Sequence, residues 1–191
     1  MNGFEHKRIA QDFTANSFCI KPPKNTDLTN IYTKKWKASS YIKNGDIIDL
    51  GNRKIEILHV PGHTPDALAL LDKEQRLLFT GDTYYDAELW LYVPETNLKD
   101  YQNSIERLVE IESEVDYIFG AHRTVRVDSG VLIKIKQALL KLRSTEYVFD
   151  KNDDGKQLFI TIDGIDFVTA LPVIEGKQGD TSKGGSGYDT W

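Results

Sequence analysis

Three apolar runs in this chain each end on a side chain able to bind a metal ion. Val60-Pro61-Gly62-His63-Thr64-Pro65-Asp66 closes the first, Gly81-Asp82-Thr83 closes the second nineteen residues after His63, and Gly120-Ala121-His122 closes the third forty residues after Asp82. Short apolar runs bounded by Gly or Pro read as strands. A side chain at a strand end is held on a rigid frame, and an adjacent glycine lets the backbone approach closely. Imidazole and carboxylate are expected ligands for zinc and related ions. A histidine after a turn is weak evidence by itself, and so is a Gly-Asp-Thr turn. The three in this order are much more specific.

The remaining pattern supplies the frame. Residues 4–13 read as a short helix, and 22–43 as a long loop holding Tyr32, Trp36 and Tyr41 without a clear period. Residues 47–50 and 54–60 form a predicted hairpin about Gly51-Asn52, and 67–71 and 76–80 a second strand pair. Leu98, Tyr101, Ile105, Leu108 and Ile111 recur at helical spacing and predict a helix over 98–115, capped by Thr96 or Asn97. A second helix is predicted over 129–142, with Asp128 or Ser129 as its cap. Strands follow at 147–149 and 158–162, and a last one over 167–173. From Glu175 the composition turns to Gly, Ser and Lys, the signature of a flexible tail. The expected organisation is one domain over 1–174 and a tail over 175–191. Mixed strands, hairpins and helices place the domain in the α/β or α+β layered class.

Composition narrows the function classes. The chain of 191 residues has a net charge of -5 and no Lys/Arg block, so nucleic acid is not an expected partner. No run approaches the roughly 18 apolar residues of a membrane helix, so no membrane partner is expected. The one cysteine, Cys19, cannot form an intramolecular disulfide or a cysteine-based zinc site, and between Phe18 and Ile20 it reads as a small buried apolar residue. No dinucleotide, P-loop or Gly-x-Ser-x-Gly string is present. The compartment stays open.

The series Pro61-Gly62-His63-Thr64-Pro65, Gly81-Asp82-Thr83 and Gly120-Ala121-His122 resembles the second half of the metallo-β-lactamase superfamily pattern. The resemblance runs from about residue 3 to about residue 173. It implies a sandwich of two mixed sheets with helices on both outer faces and metals at one edge. It also implies that His63 ligates a first metal, that Asp82 bridges two metals as the catalytic carboxylate, and that His122 ligates the second. The metals would be zinc, two per site, with iron or manganese as alternatives. A metal-bound hydroxide would attack a small ester, thioester, lactone, amide or phosphodiester.

One departure bears on activity. The family's first motif, His-x-His-x-Asp-His, is absent, and the four histidines are His6, His59, His63 and His122. Asn2-Gly3 and the helix after it resemble the stretch that follows that motif, so the chain is expected to be N-terminally truncated and impaired as given. Each metal would keep one histidine and the shared Asp82. A single metal held by His63, Asp82 and His122 together is one way out. Two readings stay open. One is a metal-dependent hydrolase acting on a small molecule. The other is a non-catalytic remnant, a binding module completed by a second copy or another fragment.

Other candidates weigh less. His59 reads as a polar strand residue or a donor behind the site, and His6 as a surface residue. Asp66 reads first as a turn residue, with orientation of the His63 ring as the alternative. Asp150-Lys151-Asn152-Asp153-Asp154-Gly155 begins like a calcium loop but has Thr161 where a bidentate Glu is needed, so a hairpin turn is favoured. Gly179-Asp180-Thr181 follows no strand and reads as coincidence. Arg123 either holds an anionic substrate group or is solvated. Tyr84, Tyr85, Trp90 and Tyr92 pack ordinarily or wall a pocket.

Overall fold

Two mixed sheets and two long helices share one apolar core in a computed structural model that describes residues 40–93, 95–144, 149–151 and 157–177. The expected helix over 4–13, Cys19, His6, most of the 22–43 loop and most of the tail lie outside the described residues. All described elements belong to one compact unit, Ile42–Thr181. No described helix is long and apolar enough to cross a membrane.

The first sheet contains β1 (Ile47–Asp49), β2 (Lys54–His59), β3 (Leu68–Asp72), β4 (Leu77–Gly81), β6 (Tyr117–Gly120) and β7 (Val127–Asp128), in that spatial order. Its strands are antiparallel except β4 and β6, which run parallel. The turn between β3 and β4 is set by buried Asp72, whose carboxylate accepts from the Gln75 N–H at 3.0 Å and from the Arg53 guanidinium. Alternation along the strands puts Ala69, Leu71, Leu78 and Ile118 into the core. The register sets Ile57, Leu70, Phe79 and Phe119 side by side on the opposite face, with the two Phe rings stacked at 5.1 Å.

The second sheet contains β5 (Leu89–Leu91), β8 (Phe149–Lys151), β9 (Leu158–Ile162) and β10 (Ile165–Thr169), in the order β5-β10-β9-β8. Helices α1 (Leu98–Glu110) and α2 (Val131–Ser144) pack on each other, and α2 packs on β9 and β10.

The structure bears out the layered α/β class and corrects several boundaries. Asn97 is the α1 cap, its side chain accepting from the Asp100 N–H at 3.0 Å. That helix stops at Glu110 and tightens into a 3-10 turn at Glu112–Glu114, so it is shorter than the apolar spacing predicts. The expected strand over 167–173 ends at Thr169. Pro172, which cannot donate to a sheet ladder, instead sits in the first turn of α3 (Leu171–Ile174). Strands β5 and β7 are too short to stand out as apolar runs. Asp150 and Lys151 lie on a strand paired with β9, which agrees with a hairpin rather than a calcium loop.

Candidate metal centre

The loop carrying His63 is clamped onto the start of α1. Gly62 has φ +138°, and a Cβ there would stand 2.2 Å from Tyr101 N and Cα, so only glycine fits. The carbonyls on either side of the turn are all used. Pro61 O accepts from Ser104 Oγ at 2.7 Å, Gly62 O from Asn97 N at 2.8 Å, and His63 O from Thr96 Oγ1 at 3.1 Å. His59 Nε2 bonds Pro65 O at 2.8 Å and ties the far end of the loop to β2. This places His59 behind the site.

The His63 ring is oriented by β5. Its Nδ1 lies 2.7 Å from Trp90 O. A carbonyl only accepts, so Nδ1 is the nitrogen that donates here. Among the described strands β5 lies at the edge of its sheet. Asp66 does not share in this: it accepts from Thr64 Oγ1 at 2.7 Å and acts as a turn residue. The role of Trp90 was not legible in the sequence, because the bond is made by its backbone.

Asp82 and His122 are brought together by the parallel pairing of β4 and β6. Gly81 stands opposite Gly120, and Ala121 N donates to Gly81 O at 3.1 Å. The next side chains therefore meet, with His122 Nε2 at 2.9 Å from Asp82 Oδ1. A Cβ on Gly120 would stand 2.6 Å from Tyr84 O and Tyr85 Cα, so glycine lets the two segments cross. Both side chains are open to solvent, His122 at 60% and Asp82 at 46%. The Tyr85 ring meets the His122 ring edge-on at 4.9 Å, and its hydroxyl accepts from Trp90 N at 3.2 Å. Burial, partly opposed by that hydrogen bond and reinforced by Asp82 and Glu88, pushes the Tyr85 phenol up to about 12.

The aromatic cluster divides between the two expected uses. Tyr84 and Tyr85 are buried in the core, whereas Trp90 is 44% exposed and lies 5.9 Å from the Tyr92 ring. Arg123 has φ +63°, and its backbone bridges to Asp86. Tyr101 joins both halves of the site: its backbone passes over Gly62, and its hydroxyl donates to Thr83 O.

The donor types suit zinc, but His122 and Asp82 stand in direct hydrogen-bond contact. Two ligands at about 2.0–2.1 Å from a tetrahedral zinc are roughly 3.3 Å apart, a few tenths more than the His122–Asp82 distance. The number of donors does not suffice. Among the described residues no group of three or more His, Cys, Asp or Glu side chains stands close enough to hold a metal ion. His63 is thus not joined to the Asp82–His122 pair in a three-ligand set.

With this geometry in place, the relationships of the chain are clear. The profile of the metallo-beta-lactamase superfamily matches residues 21–122, more than half of the chain, and the chain belongs to that superfamily, a family of hydrolases. It is 31% identical over 129 residues to the acyl-coenzyme A thioesterase MBLAC2 of Gallus gallus, covering 63% of this chain and 42% of that protein. It is 25% identical over 81 residues to the hydroxyacylglutathione hydrolase of Francisella tularensis, covering 42% of this chain and 32% of that one. The metallo-beta-lactamase from Pontibacter korlensis superposes with a TM-score of 0.49 at 20% identity, over 56% of this chain and 50% of that one. The chain thus spans less than half the length of the curated relatives it matches.

Proposed function

We propose that this chain carries part of the active site of a metal-dependent thioester hydrolase. The observation that most supports this is the 2.7 Å bond between His63 Nδ1 and Trp90 O. Metal-binding histidines commonly donate their second ring N–H to a carbonyl, which fixes the ring and raises its basicity. His63, Asp82 and His122 would contribute ligands, with Asp82 also the catalytic carboxylate, and further ligands would come from outside the described residues. Zinc suits this donor set best, with iron or manganese as alternatives. Such a metal, when bound, acidifies a water and polarises a carbonyl.

The relatives favour thioesters over the ester, lactone, amide and phosphodiester alternatives, since acyl-coenzyme A and acylglutathione are both thioesters. The partner is then a small molecule, and no nucleic acid is expected. A second reading, the non-catalytic remnant completed by a second copy or a fragment, is favoured by the shortage of close donors among the described residues.

The test combines metal analysis with thiol release. Purified chain is assayed for zinc, iron and manganese, and for free thiol produced from acyl-coenzyme A. Stoichiometric metal and thiol release, both lost in His63→Ala, is the expected result. A metal-free chain that releases no thiol supports the remnant instead. Turnover of phosphodiesters but not thioesters overturns the substrate class.

A further inference from the structure

The first sheet ends at β1 on an edge that is apolar on both faces. Ile48 is 38% exposed and lies beside Ile55, while Ile47 is 53% exposed and lies beside Glu56 on the opposite face. Ile42, 49% exposed, precedes the strand, and Leu50, 60% exposed, follows it. An open apolar edge is a template for adding a strand, and folded chains commonly blunt it with charge, proline or a covering segment. No proline lies between Ile42 and Leu50, and among the described strands none lies beyond β1. The carboxylates on this edge are folded onto their own turns: Asp46 Oδ2 accepts from Lys43 N and Asp49 Oδ1 from Gly51 N, both at 2.8 Å.

The pairing with β2 decides which backbone groups of this edge face outward. Leu50 N donates to Arg53 O and Ile57 N to Asp46 O, so even-numbered residues bond β2 and odd-numbered ones point away from it. Gly45 N is occupied by Ile57 O, and Gly51 N by the Asp49 carboxylate. That leaves Ile47 and Asp49, each with an N–H and a C=O directed away from the sheet. This set matches itself under a two-fold axis. An antiparallel copy centred on Ile48 sets Ile47 opposite Asp49 of the second copy, and Asp49 opposite its Ile47. Every one of these outward groups then has a partner, and Ile48 meets Ile48 of the second copy. Centring on Asp49 instead would oppose two carboxylates and meet the occupied Gly51 N; centring on Ile47 would meet the occupied Gly45 N. Charge agrees with self-pairing. Lys43 and Lys54 balance Asp46 and Asp49, so the edge neither selects a charged peptide nor repels its own copy.

We infer that β1 pairs edge to edge with β1 of a second copy, antiparallel about Ile48, and so joins two first sheets into one. The contact is isologous: the same residues meet from both sides of the axis. It does not depend on what the candidate metal centre does, and its test reads association alone.

The test uses the whole chain. Sedimentation velocity is expected to show a monomer–dimer equilibrium with a dissociation constant between about 1 μM and about 1 mM, because a strand of three residues buries less than the roughly 800 Å² per partner of a standard interface. Ile48→Lys opposes two like charges across the axis and is expected to give monomer throughout. Leu140→Lys, on the exposed side of α2, is expected to leave the equilibrium unchanged. Register is read by oxidation in a Cys19→Ser background. A non-hydrogen-bonded antiparallel pair holds its Cα atoms about 4.5 Å apart, within the roughly 4.4–6.8 Å that a disulfide spans. Ile48→Cys is therefore expected to give a disulfide-linked dimer. Leu50→Cys, more exposed but opposite Asp46 of the second copy, is expected to give it far more slowly. Monomer at every concentration overturns the inference and leaves the edge to an extended segment of another protein. A dimer that survives Ile48→Lys overturns it too, as does equal cross-linking of Ile48→Cys and Leu50→Cys. Thiol release, present or absent, bears on neither arm.

Discussion

His63 and His122 both sit past a strand end within two residues of a glycine, yet their surroundings differ. Around His63 every carbonyl from Pro61 to His63 accepts a hydrogen bond from α1 or its cap region, and the ring itself is fixed on Trp90 O. Around His122 the chain is largely open to solvent. It is held by the Asp82 contact, the edge of Tyr85, and the tie from Thr124 Oγ1 to Asp86 Oδ2 at 2.6 Å. One half of the candidate site is therefore held by a helix, and the other rests on fewer contacts.

The largest test of this contrast is at the two glycines. Gly62→Ala combines a left-handed φ with a clash against helix backbone, and should cost about 4 kcal/mol in urea unfolding. Gly120→Ala meets a crossing segment but keeps an allowed φ, and should cost about 2 kcal/mol. Equal losses would remove the distinction between the loops.

Tyr101 sharpens it next. Tyr101→Phe leaves Thr83 O without its buried donor and should cost about 1–2 kcal/mol. The loss should loosen the Asp82 side more than the Gly62 turn, which Tyr101 meets through its backbone and Cβ, both kept in Phe. Hydrogen exchange at Thr83 compared with Gly62 measures this. Burial also holds the Tyr101 phenol well above its ordinary value. The unfolded chain loses that proton first on raising the pH, so this contribution to stability is complete below about pH 10 and declines above it. The alkaline loss should be reduced in Tyr101→Phe.

Direct replacement of the two histidines should give smaller effects on folding. His63→Ala removes the ring bond to Trp90 O and should cost about 1 kcal/mol. His122→Ala removes an exposed pair and should change stability by less than about 0.5 kcal/mol. A larger loss from His122→Ala would mean that its loop is more rigid than its exposure implies.

A pH test lies outside both loops and serves as a reference. Burial opposes ionisation of Asp72, but the N–H groups of Gln75 and Glu74 and the Arg53 guanidinium outweigh it, so its pKa is lowered. In the unfolded chain this carboxyl takes up a proton at its ordinary value, before the folded one does. Stability is thus present above about pH 4 and falls as pH drops toward the folded pKa. Asp72→Asn should flatten this acid slope in urea midpoints without altering the contrast between the two loops.

Much of this was legible in the sequence because local rules carried it. The hairpin before His63, the strand before Asp82 and the α1 face from Leu98 to Leu108 all follow from periodicity and turn residues. The glycines beside His63 and His122 signalled close backbone approach, which the positions of Tyr101, Tyr84 and Tyr85 bear out. The break at Pro172 followed local chemistry too, but an apolar run up to Val173 masked it.

The sequence alone determined the residue types at the strand ends, their order, and the family to which the chain belongs. Tertiary structure decided which of them meet. Asp82 touches His122 because β4 and β6 run parallel, with a register shift after Phe79 that sets Gly81 opposite Gly120, although forty residues separate them. His63 is oriented by a carbonyl of an edge strand in the other sheet, and a backbone acceptor has no side-chain signature. Periodicity reports which face of an element is buried; it carries no information on which element lies opposite, because that is set by long-range pairing and packing.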